Sequence, residues 1–341
     1  MRALWYIRPG RLEWRESPEP RITDPAAAIV RPVAVATCDL DGWLVRGQIP
    51  APGPFPVGHE FLAEVVEVGE AVTGVAPGDR VSVPFQISCG RCAPCRAGRT
   101  GRCRSVPAGS AYGMGPLSHG LRWGGAVADL VLVPYADAMC LPVPADLDPA
   151  ALAGLSDNLV DGWRTVAPYL RGPGGTADAR VLVFGGGSGG LYAAGIAAAL
   201  GAEVTYVDRA ESRCAIAERL GARAICEPAG RKYPAHPIVV HTSRDQDTLR
   251  TALRSTGSAG VCTDTGIFFD GDVPLPLLEM YTKGVTFVTG RVDARATMPA
   301  ALDLITSGRL DPGPVVGETV PWDEAPAAWA EHTGRLVLTR T

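Results

Sequence analysis

The sequence predicts an α/β protein of about two domains, and three observations carry that reading. The chain has 341 residues, which at the usual ~150 residues per domain makes two units. Its first third consists of short β-branched runs cut by glycine and proline. From about Ala150 onward, short apolar strands alternate with helices, the pattern of a parallel sheet with right-handed crossovers.

The elements follow in order. Ala63–Val68 reads as a strand that Gly69 ends, and Pro77-Gly-Asp79 marks the turn before a strand at Arg80–Val83. Asp148–Leu155 reads as helix, Val181–Phe184 as a buried strand, Leu191–Leu200 as an Ala/Leu-rich helix, Val204–Val207 as strand and Ser212–Leu220 as helix. The alternation continues more weakly through Ile238–Val240, Thr248–Arg254, Gly260–Thr263 and Val285–Val288. Met298–Ser307 and Asp323–Glu331 read as surface helices, and Leu336–Leu338 as a last strand.

Composition narrows the function classes. A hydrophobic share of 46% with 20% charged residues excludes disorder and supplies a core. The formal charge of −4 gives no basic footprint for nucleic acid. Ala193–Leu200, the best apolar run, falls short of the ~18 residues a membrane span needs. The opening MRALWYIRPGRLEW alternates aromatic and charged residues and does not read as a signal peptide, so a cytoplasmic location is expected.

Gly185-Gly-Gly187-Ser-Gly-Gly190 fits the pattern G-x-G-x-x-G in the required setting. It follows a predicted strand, opens a predicted helix, and precedes Asp208 at the end of the next strand by about twenty residues. Gly185 permits the tight turn, Gly187 lets backbone approach a pyrophosphate, and Gly190 lets helix and strand pack closely. The helix N-terminus then offers N–H groups to the phosphates. A carboxylate at Asp208 suits the two ribose hydroxyls and repels a 2′-phosphate, which favours NAD over NADP; Arg209 beside it weakens that preference. The bland alternative is a structural glycine turn, against which strand, helix and acid all count.

Four of nine cysteines form Cys89-x₂-Cys92-x₂-Cys95-x₇-Cys103. An odd cysteine total and no export signal argue against a disulfide framework. Four thiolates at this spacing suit one tetrahedral zinc at ~2.3 Å per bond, with no position left for a substrate. Such a closed site is structural. Cys140, Cys214, Cys226 and Cys262 read as buried thiols. Cys38, followed by Asp39-Leu-Asp41, and the later Gly58-His59-Glu60 are compatible with either core residues or metal ligands.

Across nearly all its length the chain resembles the zinc-containing alcohol and polyol dehydrogenases of the medium-chain dehydrogenase/reductase superfamily. The resemblance rests on Cys38, Gly58-His59-Glu60, Pro77-Gly-Asp79-Arg80-Val81, the four-cysteine lobe, the glycine fingerprint, and Ala217-Glu-Arg-Leu-Gly-Ala222 after Asp208, all in the family's order. It implies a GroES-like, β-rich catalytic domain from 1–150 and 291–341, with the zinc lobe at about 86–106. It implies a Rossmann domain with a doubly wound parallel sheet at 151–290.

Carried over by position, Cys38 and His59 are implied catalytic zinc ligands. Glu60 is implied as a carboxylate that moves onto or off the metal, and Asp41 as the partner orienting His59. The third ligand of the family, placed four residues before a Thr-Gly-type turn, falls on Asp157, with Asp161-Gly162-Trp163 as the turn. Arg213 falls where the family contacts the adenosine moiety, and Arg291, in Gly290-Arg291-Val292, where it lines the nicotinamide pocket. Two zinc ions per chain, a small-molecule substrate and a homodimer or homotetramer are implied.

Two positions depart from the family. Its proton-relay hydroxyl and histidine are replaced by Leu40 and Trp43, neither of which carries a proton. The implied reaction is hydride transfer between NAD(H) and an alcohol or carbonyl. The departure keeps a second reaction open, delivery of hydride to a C=C or C=N bond of a specialised metabolite, and a third reading is a non-catalytic NAD-binding relative. His119, His236, His241 and His332 lack a partnered motif and read as structural or surface residues; His241 follows a strand near the expected cofactor edge, which leaves a cofactor contact open there.

Overall fold

A computed structural model describes residues 1–117, 120–171, 179–230, 232–269, 271–331 and 334–340; His119 and His332 lie outside the described residues. The chain divides into two compact units. The first comprises 1–157, 293–302 and 316–341, and the second 158–292 and 303–315. Three stretches fall on the other side of the boundaries read from sequence, the shortest being 291–292, which stay with the second unit. Residues 151–157 stay with the first unit, where Ser156 bonds to the strand behind His59, and 303–315 return to the second, where Arg309 donates to the Ala199 carbonyl at 2.7 Å.

The first unit is built on a seven-stranded sheet. Its central pair, Ala28–Ala36 and Glu60–Val68, runs antiparallel, and Arg80–Val83 and Leu141–Pro142 extend it on one side. On the other side, Leu336–Thr339 pairs antiparallel with Ala28–Ala36 and parallel with Glu318–Pro321. Residues near the sequence start and near its end therefore share one sheet. Val35, Phe61, Leu62, Val81 and Leu338 are fully buried on it. Full burial of such side chains stabilises by ~1.5–3 kcal/mol each.

The second unit carries a six-stranded, all-parallel sheet. In space its order is Arg223–Cys226, Glu203–Asp208, Arg180–Phe184, His236–His241, Thr256–Asp264 and Thr286–Thr289. In strand sequence that is 3-2-1-4-5-6, the doubly wound dinucleotide arrangement, with its switch point between Arg180–Phe184 and His236–His241. Leu182, Phe184, Val239 and Cys262 pack beneath one face. Strands buried on both faces explain why these segments read as continuous apolar runs.

Several local readings are corrected. Asp161-Gly162-Trp163 is no turn: it lies in the helix Asn158–Arg171. Gly162 is required there because an added Cβ would come within 2.8 Å of the Ala193 nitrogen on the neighbouring helix Ser188–Ala199. Asp148–Leu155 splits into a short helix, Pro149–Leu152, and a 3₁₀ turn, Ala153–Ser156. Ala294–Thr306 is less a surface helix than expected, with Met298, Ala301 and Leu304 buried. Cys214 and Cys226 are not two buried thiols: they form a disulfide between the helix Glu211–Arg219 and the strand Arg223–Cys226, and Cys226 is exposed. A count of cysteines carries no information on which two the topology brings together.

Among the described residues no helix is long and apolar enough to cross a membrane.

Candidate metal and dinucleotide sites

In the first unit three separate segments converge on one buried point. Cys38 is the N-cap of the helix Asp39–Val45. His59 and Glu60 open the strand Glu60–Val68 after Gly58, whose φ of +96° suits glycine, and an added Cβ there would meet Val127 at 2.7 Å. Asp157 follows Ser156, whose hydroxyl accepts the Phe61 N–H at 3.0 Å and so ties the segment to that strand. One ligand atom from each of Cys38, His59, Glu60 and Asp157 lies within 4.8 Å of the others.

The donor set fits a cation. His59 is fully buried, and neither ring nitrogen makes a hydrogen bond; Asp157 Oδ2 stands 3.4 Å from Nε2 and Asp41 Oδ1 3.9 Å from Nδ1. Burial alone pulls the imidazole pKa down, but Asp41, Asp157 and Glu60 override it and push it up to about 9. Burial, reinforced by Asp41 and Glu60, holds the Cys38 thiol well above its ordinary range. Burial likewise raises Glu60 to about 8, although Arg335 opposes it. A thiol, an imidazole and carboxylates sharing a dry space need positive charge to settle as ligands, and a divalent cation supplies it.

Two partners act on this set. Arg335 donates to Glu60 Oε2 at 2.6 Å and to the Thr37 carbonyl at 3.0 Å, and no local motif marks it. Asp41, expected to orient His59, instead accepts the Cys38 N–H at 2.9 Å, and at 3.9 Å it is an electrostatic neighbour of His59 without a hydrogen bond. Its three-residue spacing from the N-cap explains the difference, since a carboxylate there reaches back to the cap nitrogen. Leu40, Leu44, Ile49, Phe55 and Met114 line an apolar recess against His59.

The four cysteines come together as their spacing predicts. Cys92 Sγ lies 3.4 Å from Cys95 Sγ and 3.9 Å from Cys103 Sγ. A tetrahedron of ~2.3 Å zinc–sulfur bonds has edges of about 3.8 Å. Backbone N–H groups of Cys89, Cys92, Arg104 and Ser105 point at the sulfurs at 3.4–3.5 Å, and Ser105 Oγ donates to Cys89 at 3.1 Å. Burial raises the Cys89 pKa, but Ser105 and the backbone donors outweigh it and bring it down to about 6. Cys92 is lowered as well, by the Arg104 N–H first, whereas burial pushes Cys95 up to about 12, so the lobe favours thiolate at Cys89 and Cys92.

In the second unit the glycine run lies where the fingerprint requires. Gly185 ends the strand Arg180–Phe184, and Gly187 caps the helix Ser188–Ala199 without a side chain. A Cβ on Gly185 would come within 2.5 Å of Asp208 Oδ2, and one on Gly190 within 2.6 Å of Thr242 Oγ1. Asp208 is buried at the end of its strand, and Arg213 grips both its oxygens at 2.6 and 2.7 Å. Burial pushes that carboxyl up, yet Arg213, the Ala210 N–H and the Tyr206 hydroxyl keep it below its ordinary value. Arg213 is therefore bound to Asp208 rather than simply solvated. Arg291 lies just past the strand Thr286–Thr289, and its residue is exposed.

A β-rich unit joined to a doubly wound parallel sheet defines a two-unit α/β class, and comparison with known proteins identifies it further. Residues 24–145 match the alcohol dehydrogenase GroES-like domain and 190–307 the zinc-binding dehydrogenase domain. A Mycobacterium tuberculosis relative, "Probable zinc-binding alcohol dehydrogenase Rv1895", is 30% identical over 98% of this chain and 86% of its own length. The glutathione-independent formaldehyde dehydrogenase of Pseudomonas aeruginosa is 38% identical over 234 residues, which span 64% of this chain but only 57% of that relative. The structure of alcohol dehydrogenase TADH from Thermus sp. ATN1 superposes with a TM-score of 0.86 at 28% identity, covering 100% of both chains. The chain belongs to the zinc-containing alcohol dehydrogenase family of the medium-chain dehydrogenase/reductase superfamily.

Proposed function

We propose that the chain is a zinc-dependent oxidoreductase that moves hydride between NAD(H) and a small, weakly polar alcohol or carbonyl compound. One observation carries this: Cys38, His59, Glu60 and Asp157 gather around one buried point beside an apolar recess. Cys38, His59 and Asp157 are the proposed zinc ligands, with Glu60 as the carboxylate that Arg335 holds beside them. The Cys89–Cys103 lobe is the proposed structural zinc site.

Zinc, when bound, polarises an alcohol or carbonyl oxygen, and the nicotinamide ring carries the hydride. The protein's residues do the remaining work. Asp41 pins the Cys38 backbone, and so the start of its helix. Arg335 pulls Glu60 toward its ionised form against the effect of burial and holds it in place. Leu40, Leu44, Phe55 and Met114 keep water away from His59 and suit an apolar substrate better than a polyol. The formaldehyde dehydrogenase relative supports a small substrate.

For the cofactor, the Asp208 carboxylate supports NAD over NADP, and the Arg213 grip narrows that preference by neutralising its charge. A homo-oligomer belongs to the same proposal. Thr286–Thr289 is an outer strand, and the nearby helix Leu277–Lys283 leaves Leu277, Leu278 and Tyr281 exposed, an apolar face that supports contact with a second copy. Seven unpaired cysteines support a reducing, cytoplasmic setting, whereas the Cys214–Cys226 pair pulls the other way.

A specific feature favours a second reading. Leu40, at the family's relay position, lines the recess with hydrocarbon and offers no proton path, which suits hydride delivery to a polarised C=C or C=N bond. The experiment is product analysis with the zinc-loaded protein on two panels, primary alcohols with NAD⁺ or NADP⁺ and aldehydes, enals and imines with NADH or NADPH, alongside metal content. Alcohol–carbonyl interconversion, faster with NAD, and two zinc ions per chain are expected. A saturated bond or an amine as product moves the assignment to the second reading. No hydride transfer to any acceptor, with a single ion per chain, leaves a non-catalytic dinucleotide binder.

A further inference from the structure

Three side chains form a hydrogen-bonded line at the ends of two neighbouring strands in the second unit. His241 ends the strand His236–His241 and is fully buried. Its Nδ1 lies 2.7 Å from Oδ1 of Asp264, the last residue of the adjacent strand Thr256–Asp264. Its Nε2 lies 2.9 Å from the Oγ of half-buried Ser243. Asp264 also accepts the Gly266 N–H at 2.9 Å and the Thr289 hydroxyl at 3.3 Å. A carboxylate surrounded by donors places the imidazole proton on Nδ1, so Nε2 accepts the Ser243 O–H. Phe268 stacks on the imidazole with planes 7° apart and holds the ring in place.

The serine oxygen is then polarised in a defined way. It gives its proton to His241, accepts the Asp245 N–H at 3.2 Å, and keeps one lone pair for a third partner. The sheet order says what that partner is. Asp208, the ribose-binding acid, ends one strand; the next strand along feeds the glycine loop for the pyrophosphate; His241 ends the strand after that. A dinucleotide laid from Asp208 across the glycine loop brings its other ribose to the ends of the His241 and Asp264 strands, at the switch point. Ser243 lies against the loop itself: a Cβ on Gly186 would come within 2.8 Å of the Ser243 Cβ.

We propose that Ser243 is a cofactor-binding residue whose Oγ accepts a hydrogen bond from a hydroxyl of the nicotinamide-side ribose, and that His241 and Asp264 are positioning residues that keep its own proton turned away from the cofactor. The proposal rests on the dinucleotide reading above and adds the group that meets the second ribose.

The test is a binding cycle on the full, zinc-loaded chain. Dissociation constants for NADH, and for an NADH analogue lacking both hydroxyls on the nicotinamide ribose, are measured by calorimetry for wild type, S243A, S243T, H241Q and D264N. Because each variant is compared with itself on two ligands, a general loss of stability cancels. Wild type and S243T are expected to bind the analogue roughly tenfold more weakly than NADH, the size of one hydrogen-bond loss. S243A should bind both ligands equally, and H241Q and D264N should show a smaller penalty than wild type because the serine proton is no longer held back. A full wild-type penalty in S243A, or none in wild type, overturns the proposal while leaving the dinucleotide reading intact. Failure of wild type to bind NADH at all overturns both.

Discussion

The first unit holds two clusters that gather metal-type ligands by opposite means. The Cys89–Cys103 lobe collects four sulfurs from fifteen consecutive residues, and backbone N–H groups aimed at them favour the thiolate. The Cys38–His59–Glu60–Asp157 cluster draws on three separate segments between residues 38 and 157, and burial, reinforced by its carboxylates, holds the thiol protonated when no cation is present. One site is written in local spacing and prepared by the backbone. The other is written in the fold and waits for charge. The difference matches the proposed division of labour, stability for the lobe and chemistry for the Cys38–Asp157 cluster.

The comparison breaks most visibly on His59. H59A should lose one zinc per chain and on the order of a thousandfold in kcat/KM, with little change in Tm, as measured by metal analysis, steady-state rates and calorimetry. Equal losses of activity and stability would erase the distinction drawn here. C103S should do the converse, losing the other ion and about 10 °C in Tm. Its residual activity per folded molecule should stay near that of wild type.

Smaller effects sharpen the contrast. With metal stripped by a chelator, alkylation at pH 7 followed by mass spectrometry should label Cys89 and Cys92 before Cys95 and Cys38. Cys89, brought down to about 6, is mostly thiolate above pH 6, and Cys92 is lowered too, by the Arg104 N–H first, whereas Cys38 is raised. Labelling of the lobe should therefore fall as pH drops below 6, and early labelling of Cys38 would contradict the electrostatic account. S105A removes the 3.1 Å hydroxyl donor from Cys89, and should weaken zinc retention in the lobe by about tenfold in a chelator competition while leaving the His59 site loaded.

How much of this was legible in the sequence depends on how far apart the cooperating residues lie. The four cysteines and the glycine run are readable because each works within a single turn or one strand–loop–helix step. Cys38 and His59 gained meaning only through the family's motif order, and Asp157 only through position counting. Arg335 was invisible: it lies 275 residues from Glu60, and a lone arginine before a strand carries no mark of its partner. Asp41 has a second duty that its spacing hides, because helix capping and ligand support ask for the same residue type there: one oxygen accepts the Cys38 N–H while the other stands 3.9 Å from His59. His241 drew notice from its place after a strand, but its link to Asp264 exists only because two parallel strands end side by side. The Cys214–Cys226 pair was missed for the same reason, since a helix-to-strand return brings its two halves together.

The seating of Leu336–Thr339 beside Ala28–Ala36 sets the timetable of the molecule's birth on the ribosome. The second unit is almost a contiguous stretch, 158–292, and its parallel sheet is complete before the final segment emerges. The first unit must wait with an open sheet edge until residues 316–341 arrive, and Glu60 has no guanidinium beside it until Arg335 is made. A nascent chain stalled before that point exposes the flank of Ala28–Ala36, an open edge able to pair with another chain.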